Sequence, residues 1–302
     1  MYGLTILGNN SALPAYDRHP TAQALHWGDQ IFLIDCGEGT QMQLSRYKIR
    51  RSRIQHIFIS HLHGDHYFGL VGLITSMGLM GRDTPLHVYG PQGLEAIIQL
   101  QLSAADTRLP YPLHFHGITE SGLLLDEKTV TVHCFAVKHR ITCFGFFFAE
   151  KKAPRKLNKD AAIAAGIPHI FYQRLQWGED YVAKTGEVIA NESVTFAANP
   201  PLSYAYCADT LFDPSLCQHI QNASLLYHEA TFLEAMKDKA AERFHATARQ
   251  AATIASLSGA RKLLVGHFSS RYESLVPFLE EASAVFEPTD LAIEGVTYLI
   301  RH

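Results

Sequence analysis

The sequence has no Cys-x-x-Cys pair, no apolar run of about 18 residues and no strong excess of either charge sign. Its five cysteines, Cys36, Cys134, Cys143, Cys207 and Cys217, are odd in number and widely scattered, which argues against a disulfide framework or a zinc ribbon and reads as small buried hydrophobes. With no long apolar stretch and no basic segment leading into one near the start, a cytoplasmic protein without a membrane partner is expected. A net charge of -3 gives no global attraction to nucleic acid, so a polyanion would have to be met by a local basic patch.

What is plentiful is histidine, 17 residues in 302. Several follow β-rich runs, where α/β folds place their active sites. Strand character is read at Leu4 to Leu7, Ala22 to Trp27, Ile31 to Ile34 and Ile54 to Ser60, and helical spacing at Glu38 to Arg46, Tyr67 to Met80 and Gln92 to Ser103. Strands return at Thr129 to Val137 and Thr142 to Ala149. Residues 151–192 break the rhythm with a Lys-rich start, an Ala-rich helical piece at Asp160 to Ala165 and several Gly and Pro turns, and read as an inserted arm. Alternation then resumes through Tyr204 to Ala208, Leu225 to His228, a helix from about Ala246 to Leu257 and a strand from Lys262 to Val265. One domain over 1–302, an α/β sandwich of two mixed sheets with helices outside, accommodates this order.

The densest chemical signal is His61-Leu62-His63-Gly64-Asp65-His66, directly after the strand Ile57 to Ser60. Four potential ligands in six residues, on a Gly-containing turn at a strand end, can be aimed at one small volume. Imidazole nitrogens suit zinc, and a carboxylate among them can reach a second ion or orient water. Two ions need further ligands, and His139, Asp209 and His267 each follow a later apolar strand. A strand-terminal His or Asp often only caps a turn, but the recurrence at equivalent topological places favours a metal centre.

With these motifs in view the chain resembles ribonuclease Z, the tRNA 3′-processing endoribonuclease family of the metallo-β-lactamase superfamily. The resemblance also rests on Leu7-Gly8, Phe32-Leu33-Ile34-Asp35-Cys36-Gly37-Glu38-Gly39, His228-Glu229-Ala230-Thr231, His245-Ala246-Thr247 and Gly266-His267-Phe268-Ser269-Ser270-Arg271-Tyr272. It implies a four-layer αββα sandwich with a protruding arm, and two Zn²⁺ ions per chain, with Mn²⁺ or Fe²⁺ as substitutes. His61, His63 and His139 would hold the first ion, Asp65, His66 and His267 the second, and Asp209 would bridge them. It further implies that Asp65 orients or deprotonates the attacking water, that His245, placed by Glu229, acts on the departing oxygen, and that His228 gives support only. The implied activity is removal of the 3′ trailer from precursor tRNA, leaving a 3′-hydroxyl, by a homodimer in which one subunit's arm serves the other's site.

For RNA contact two basic segments stand out. Arg46, Lys48, Arg50, Arg51 and Arg53 precede the histidine loop closely in sequence, and the arm carries Lys151, Lys152, Arg155, Lys156 and Lys159, then Tyr172, Arg174 and Trp177. Either is a candidate phosphate contact or a solvated basic surface. Two departures from the family pattern are present: the arm tip, Gly166-Ile167-Pro168-His169-Ile170-Phe171-Tyr172, lacks a Gly-Pro pair, and Cys207-Ala208 precedes Asp209 where Ser-Gly is common. Rival readings are a hydrolase of the same superfamily acting on a small phosphodiester, sulfate ester or lactone, and a non-catalytic RNA-binding scaffold. The first needs no arm, and the second would be expected to lack part of the ligand set or the acid/base pair.

Overall fold

The computed structural model describes residues 2–151 and 153–301, so Lys152 of the arm lies outside them. Fourteen strands build two seven-stranded sheets. They are β1 (Tyr2–Gly8), β2 (Ala22–Trp27), β3 (Gln30–Cys36), β4 (Ile54–Phe58), β5 (Leu86–Pro91), β6 (Leu113–Ile118) and β7 (Gly122–Asp126), then β8 (Val130–Ala136), β9 (Phe144–Glu150), β10 (Ser203–Cys207), β11 (Leu225–Glu229), β12 (Leu263–Gly266), β13 (Thr289–Leu291) and β14 (Thr297–Leu299). The first sheet runs β14-β1-β2-β3-β4-β5-β6 and the second β13-β12-β11-β10-β9-β8-β7. In each, an antiparallel half is continued by a parallel half: β3 through β6 in the first sheet, β10 through β13 in the second.

Alternation along the strands explains the layering. Phe32, Phe58 and Tyr89 from the first sheet meet Val132, Phe146, Phe148 and Tyr204 from the second in one apolar cluster between the sheets. The other face of the first sheet, including Leu33, Ile57 and Val88, packs on helices α1 (Thr40–Arg46), α3 (Leu70–Leu79) and α4 (Leu94–Ala104), with the single turn α2 (Gly64–Tyr67) between. The outer face of the second sheet packs on α7 (Ala248–Ser258) and α8 (Val276–Ser283). Burying two faces per sheet yields helix, sheet, sheet, helix, the sandwich expected from the sequence.

Local differences have local causes. The helix read over Tyr67 to Met80 is two pieces, because Gly69 donates its N–H to the Cys36 carbonyl at 2.9 Å and a Cβ there would meet the Gly37 oxygen at 2.2 Å. Pro91 closes a strand rather than opening a helix, and Gly93, at φ 103°, starts α4 instead. The excursion between β9 and β10 extends past residue 192. Lys156–Leu157 pairs with Thr195–Phe196, and the second sheet resumes only at Ser203. Within it α5 (Lys159–Ala164) and α6 (Tyr172–Gln176) enclose a small cluster of Ala162, Ile167, Leu175 and Val194. Among the described residues no helix is long and apolar enough to cross a membrane.

Candidate metal centre

The parallel halves of the two sheets deliver their C-terminal ends to one place, and the sequence-predicted residues leave from those ends. His61, His63, Asp65 and His66 follow β4; Asp209 follows β10; Glu229 ends β11; and His267 follows β12. His139 comes from the loop between β8 and β9. The histidine loop can pass close to β3 only because Gly37 has no side chain: a Cβ there would lie 2.4 Å from the Asp65 carbonyl.

Two groups of ligand atoms result. In one, His61 Nε2 lies 3.0 Å and His139 Nε2 3.2 Å from His63 Nδ1, with Asp209 Oδ2 at 3.6 Å from His61 Nε2 and 4.0 Å from His139 Nε2. In the other, His66 Nε2 and His267 Nε2 are 3.2 Å apart, Asp65 Oδ2 is 3.5 and 3.4 Å from them, and Asp209 Oδ1 is 3.5 and 3.2 Å from them. Asp209 thus gives one oxygen to each group. Its Oδ1 is buried with no hydrogen-bond donor.

The proton positions follow from the outer partners. His139 Nδ1 faces the Phe244 carbonyl at 3.0 Å, which only accepts, so Nδ1 carries the proton. His66 Nδ1 faces Asp35 Oδ2 at 2.7 Å and donates likewise. The Ser60 hydroxyl donates to Asp35 at 2.9 Å, so it accepts from His61 Nδ1 at 3.0 Å. The Thr231 hydroxyl donates to Glu229 at 2.8 Å, so it accepts from His267 Nδ1 at 2.9 Å. Four rings therefore turn Nε2 inward, held by their outer nitrogens in the manner of metal-ligating histidines. His63 instead turns Nδ1 inward, and its outer Nε2 lies 3.1 Å from the Arg140 guanidinium.

Electrostatics agree with a cation at the centre. Burial, then neighbouring imidazoles, keep His61 and His63 below their ordinary pKa, and burial also lowers His139. Burial opposes ionisation of Asp65 and Asp209, but His66 and His267 outweigh it and hold both well below the usual carboxylate range. At His66 burial is outweighed by Asp209, Asp65 and Asp35, which raise its pKa. The field there calls for positive charge, and a divalent ion satisfies it as a proton does. Inward nitrogens, a split carboxylate and an orphaned oxygen fit divalent metal with N/O ligands.

Beside this centre, His245 Nδ1 is 3.1 Å from Glu229 Oε1. Glu229 is fully buried and accepts from the backbone N–H groups of Thr210, Ala246 and Thr231 as well as from the Thr231 hydroxyl. Burial disfavours charge on His245, yet Glu229, then Asp209 and Asp65, raise its pKa to about 9. His245 borders a cleft of about 670 Å³ also lined by Leu13, Phe68, Arg140, Arg243 and Arg271. His228 sits elsewhere: it is buried in β11, Nδ1 bonds the Glu229 backbone oxygen at 2.7 Å, and Nε2 has no partner.

Asp35, Ser60, Thr231 and the Phe244 carbonyl were assigned no role from the sequence, although they orient the rings. In the sequence Asp35 carries one signal, a carboxylate at the end of an apolar strand just before Cys36-Gly37, and in the structure its φ is 54°. The basic run Arg46 to Arg53 does not join the site. It precedes β4, whereas the histidine loop follows β4, and Lys48, Arg50 and Arg53 line a separate cleft with His26. In the arm, Arg155 bonds Thr195 at 2.7 Å and Arg174 pairs with Glu179, while Trp177 stays exposed.

Comparison with known proteins places this arrangement. The family described as anti-Pycsar protein Apyc1 matches residues 2–139, less than half the chain. Ribonuclease Z of Bacteroides fragilis is 44% identical over 297 residues, 98% of each chain, and that of Porphyromonas gingivalis 45% over 295 residues, 97% of each. The crystal structure of human tRNase Z, short form, superposes with a TM-score of 0.74 at 29% identity, covering 99% of this chain and 100% of that one. The metallo-β-lactamase fold protein YhfI of Bacillus subtilis, at 18% identity and TM-score 0.69 over 98% of both chains, shares the fold. A chain with this fold and with such identity over nearly its whole length belongs to the ribonuclease Z family.

Proposed function

We infer that this protein is a metal-dependent endoribonuclease that removes the 3′ trailer from precursor tRNA. The observation that carries the reading is Asp209, whose two oxygens serve two separate ligand groups beside a carboxylate-held histidine. His61, His63 and His139 would hold one ion, Asp65, His66 and His267 the other, and Asp209 both; Zn²⁺ suits these ligands, with Mn²⁺ or Fe²⁺ as substitutes. When bound, such ions polarise the phosphodiester and supply a hydroxide nucleophile near neutral pH.

The chain's own groups supply the rest. Asp65 Oδ2 is fixed by the Ala12 N–H at 2.7 Å, so its carboxylate is held in place to orient water for in-line attack. Attack on phosphorus breaks the bond to the tRNA 3′ oxygen. His245, with Nδ1 committed to Glu229, gives the proton at Nε2 to that oxygen, leaving a 3′-hydroxyl on the tRNA and a 5′-phosphate on the trailer. Arg140, Lys239, Arg243 and Arg271 line the cleft and meet the flanking phosphates.

Among the described residues none from the arm lines this cleft, which favours a partner copy, or a distant part of the same tRNA, as what the arm meets. Purified protein incubated with a trailer-bearing precursor tRNA should give a single cut beside the discriminator base, abolished by a chelator and restored by Zn²⁺. Replacing residues 151–201 by a short turn should remove tRNA cleavage while sparing a small phosphodiester. If tRNA is never cut and the small ester is hydrolysed by both proteins, the small-substrate reading takes its place.

A further inference from the structure

Four other imidazoles are gathered on the first sheet. His56 on β4 is in register with His87 on β5, and His87 with His114 on β6; Tyr89 and His116 form the next rung. All share one face of the sheet, since Leu113 and Phe115, which alternate with them, pack on the helix side. Ring centroids are 5.2 Å apart for His56 and His87, 5.0 Å for His87 and His114, and 5.3 Å for His87 and His116. His87 Nδ1 is 3.0 Å from His116 Nε2. Because β6 is the edge strand, His114 and His116 are open to solvent, whereas His56 is buried and its Nδ1 has no hydrogen-bond partner.

We propose that His87 and His116 form a second, non-catalytic metal site for a late first-row divalent cation, Cu²⁺ most tightly. Two nitrogens each about 2.0 Å from one ion and at right angles to each other lie about 2.8 Å apart, the spacing of cis ligands in a tetragonal copper site. The 3.0 Å between His87 Nδ1 and His116 Nε2 matches this without movement of either strand. Burial lowers the pKa of both rings, so both are neutral and able to ligate at neutral pH. Glu127, the carboxylate bonded to His56, is engaged by Gln30 at 2.7 Å and His56 at 3.1 Å, and imidazole nitrogens suit late first-row ions rather than hard cations such as Mg²⁺ or Ca²⁺. An ion here would tie the edge strand β6 to β5.

The test is a Cu²⁺ titration of metal-replete protein, followed by electron paramagnetic resonance for nitrogen coupling and by a chromophoric chelator for released catalytic ions. Wild type should take up an additional Cu²⁺ with imidazole coupling, without releasing the resident ions, and should melt at higher temperature for it. His87→Gln and His116→Gln should each lose this ion and cleave precursor tRNA as wild type does. His116 is exposed, so its variant keeps the test valid if His87→Gln folds poorly. Copper uptake only by one-for-one release of resident ions, or unchanged uptake in both variants, would overturn the proposal.

Discussion

The two histidine groups of this molecule are built from the same ring and differ in their carboxylates. At the strand ends, His61, His63, His66, His139, His245 and His267 are interleaved with Asp35, Asp65, Asp209 and Glu229. On the β4–β6 face, His56, His87, His114 and His116 lie against one another, and Glu127 bonds His56. In the first group carboxylates fix ring orientation, gather cations and raise the pKa of His245. In the second, burial prevails and lowers the pKa of His56, His87 and His116. Histidine density by itself therefore says little. The number of acids per ring, and where they sit, decides what a cluster can do.

Removing the shared acid should break the comparison most severely. Asp209→Ala leaves the inward nitrogens of both groups without their common counter-charge, and trailer cleavage should fall below detection together with bound metal measured by atomic emission. Glu229→Gln and His245→Ala should leave metal content near normal yet lower kcat by roughly 10²–10⁴-fold, the usual contribution of a positioned acid or base. If either variant instead lost its metal, the acid/base pair would be a structural part of the centre.

A smaller effect sharpens the other side. Burial, opposed by Glu127 and reinforced by His87 and His116, lowers His56 from 6.5 to about 4. The unfolded chain then takes a proton that the folded one refuses. Stability should be full above about pH 6.5 and decline as pH falls toward 4, by roughly 3 kcal/mol from this residue. Urea unfolding of wild type and His56→Phe across that range should show the slope reduced in the variant; equal slopes would place the acid sensitivity elsewhere. Smallest of all, His114→Ala should change neither cleavage nor stability measurably, since its ring is exposed on an edge strand.

The sequence carried the histidine loop, the strand-end positions of His139, Asp209 and His267, and the two-sheet order, because each rests on spacing within a few residues. Orientation of those side chains was not legible. Asp35 bonds His66 from 31 residues away, and Thr231 reaches His267 across 36. Nor was the far histidine row. Leu113-His114-Phe115-His116 has strand alternation, but histidine alternating with Leu and Phe resembles neither a core nor a surface pattern, and only registration with β5 shows the rings stacked. The basic run before β4 shows the converse: nearness in sequence to the histidine loop places it at the opposite end of the strand.

The arm leaves and re-enters through a pair of neighbouring antiparallel strands, with Phe146 opposite Tyr206 and Ala149 opposite Ser203, and the Glu150 N–H bonded to the Leu202 oxygen at 2.8 Å. Topologically it is an overgrown hairpin turn. Closing such a turn costs only slightly more as it lengthens, so nothing in the sheet constrains what is spliced between Glu150 and Ser203. The excursion can be shortened, lengthened or replaced while the strand-end histidine cluster of the sandwich stays untouched, and a designer wanting to graft a new surface beside it has a ready port at those two residues.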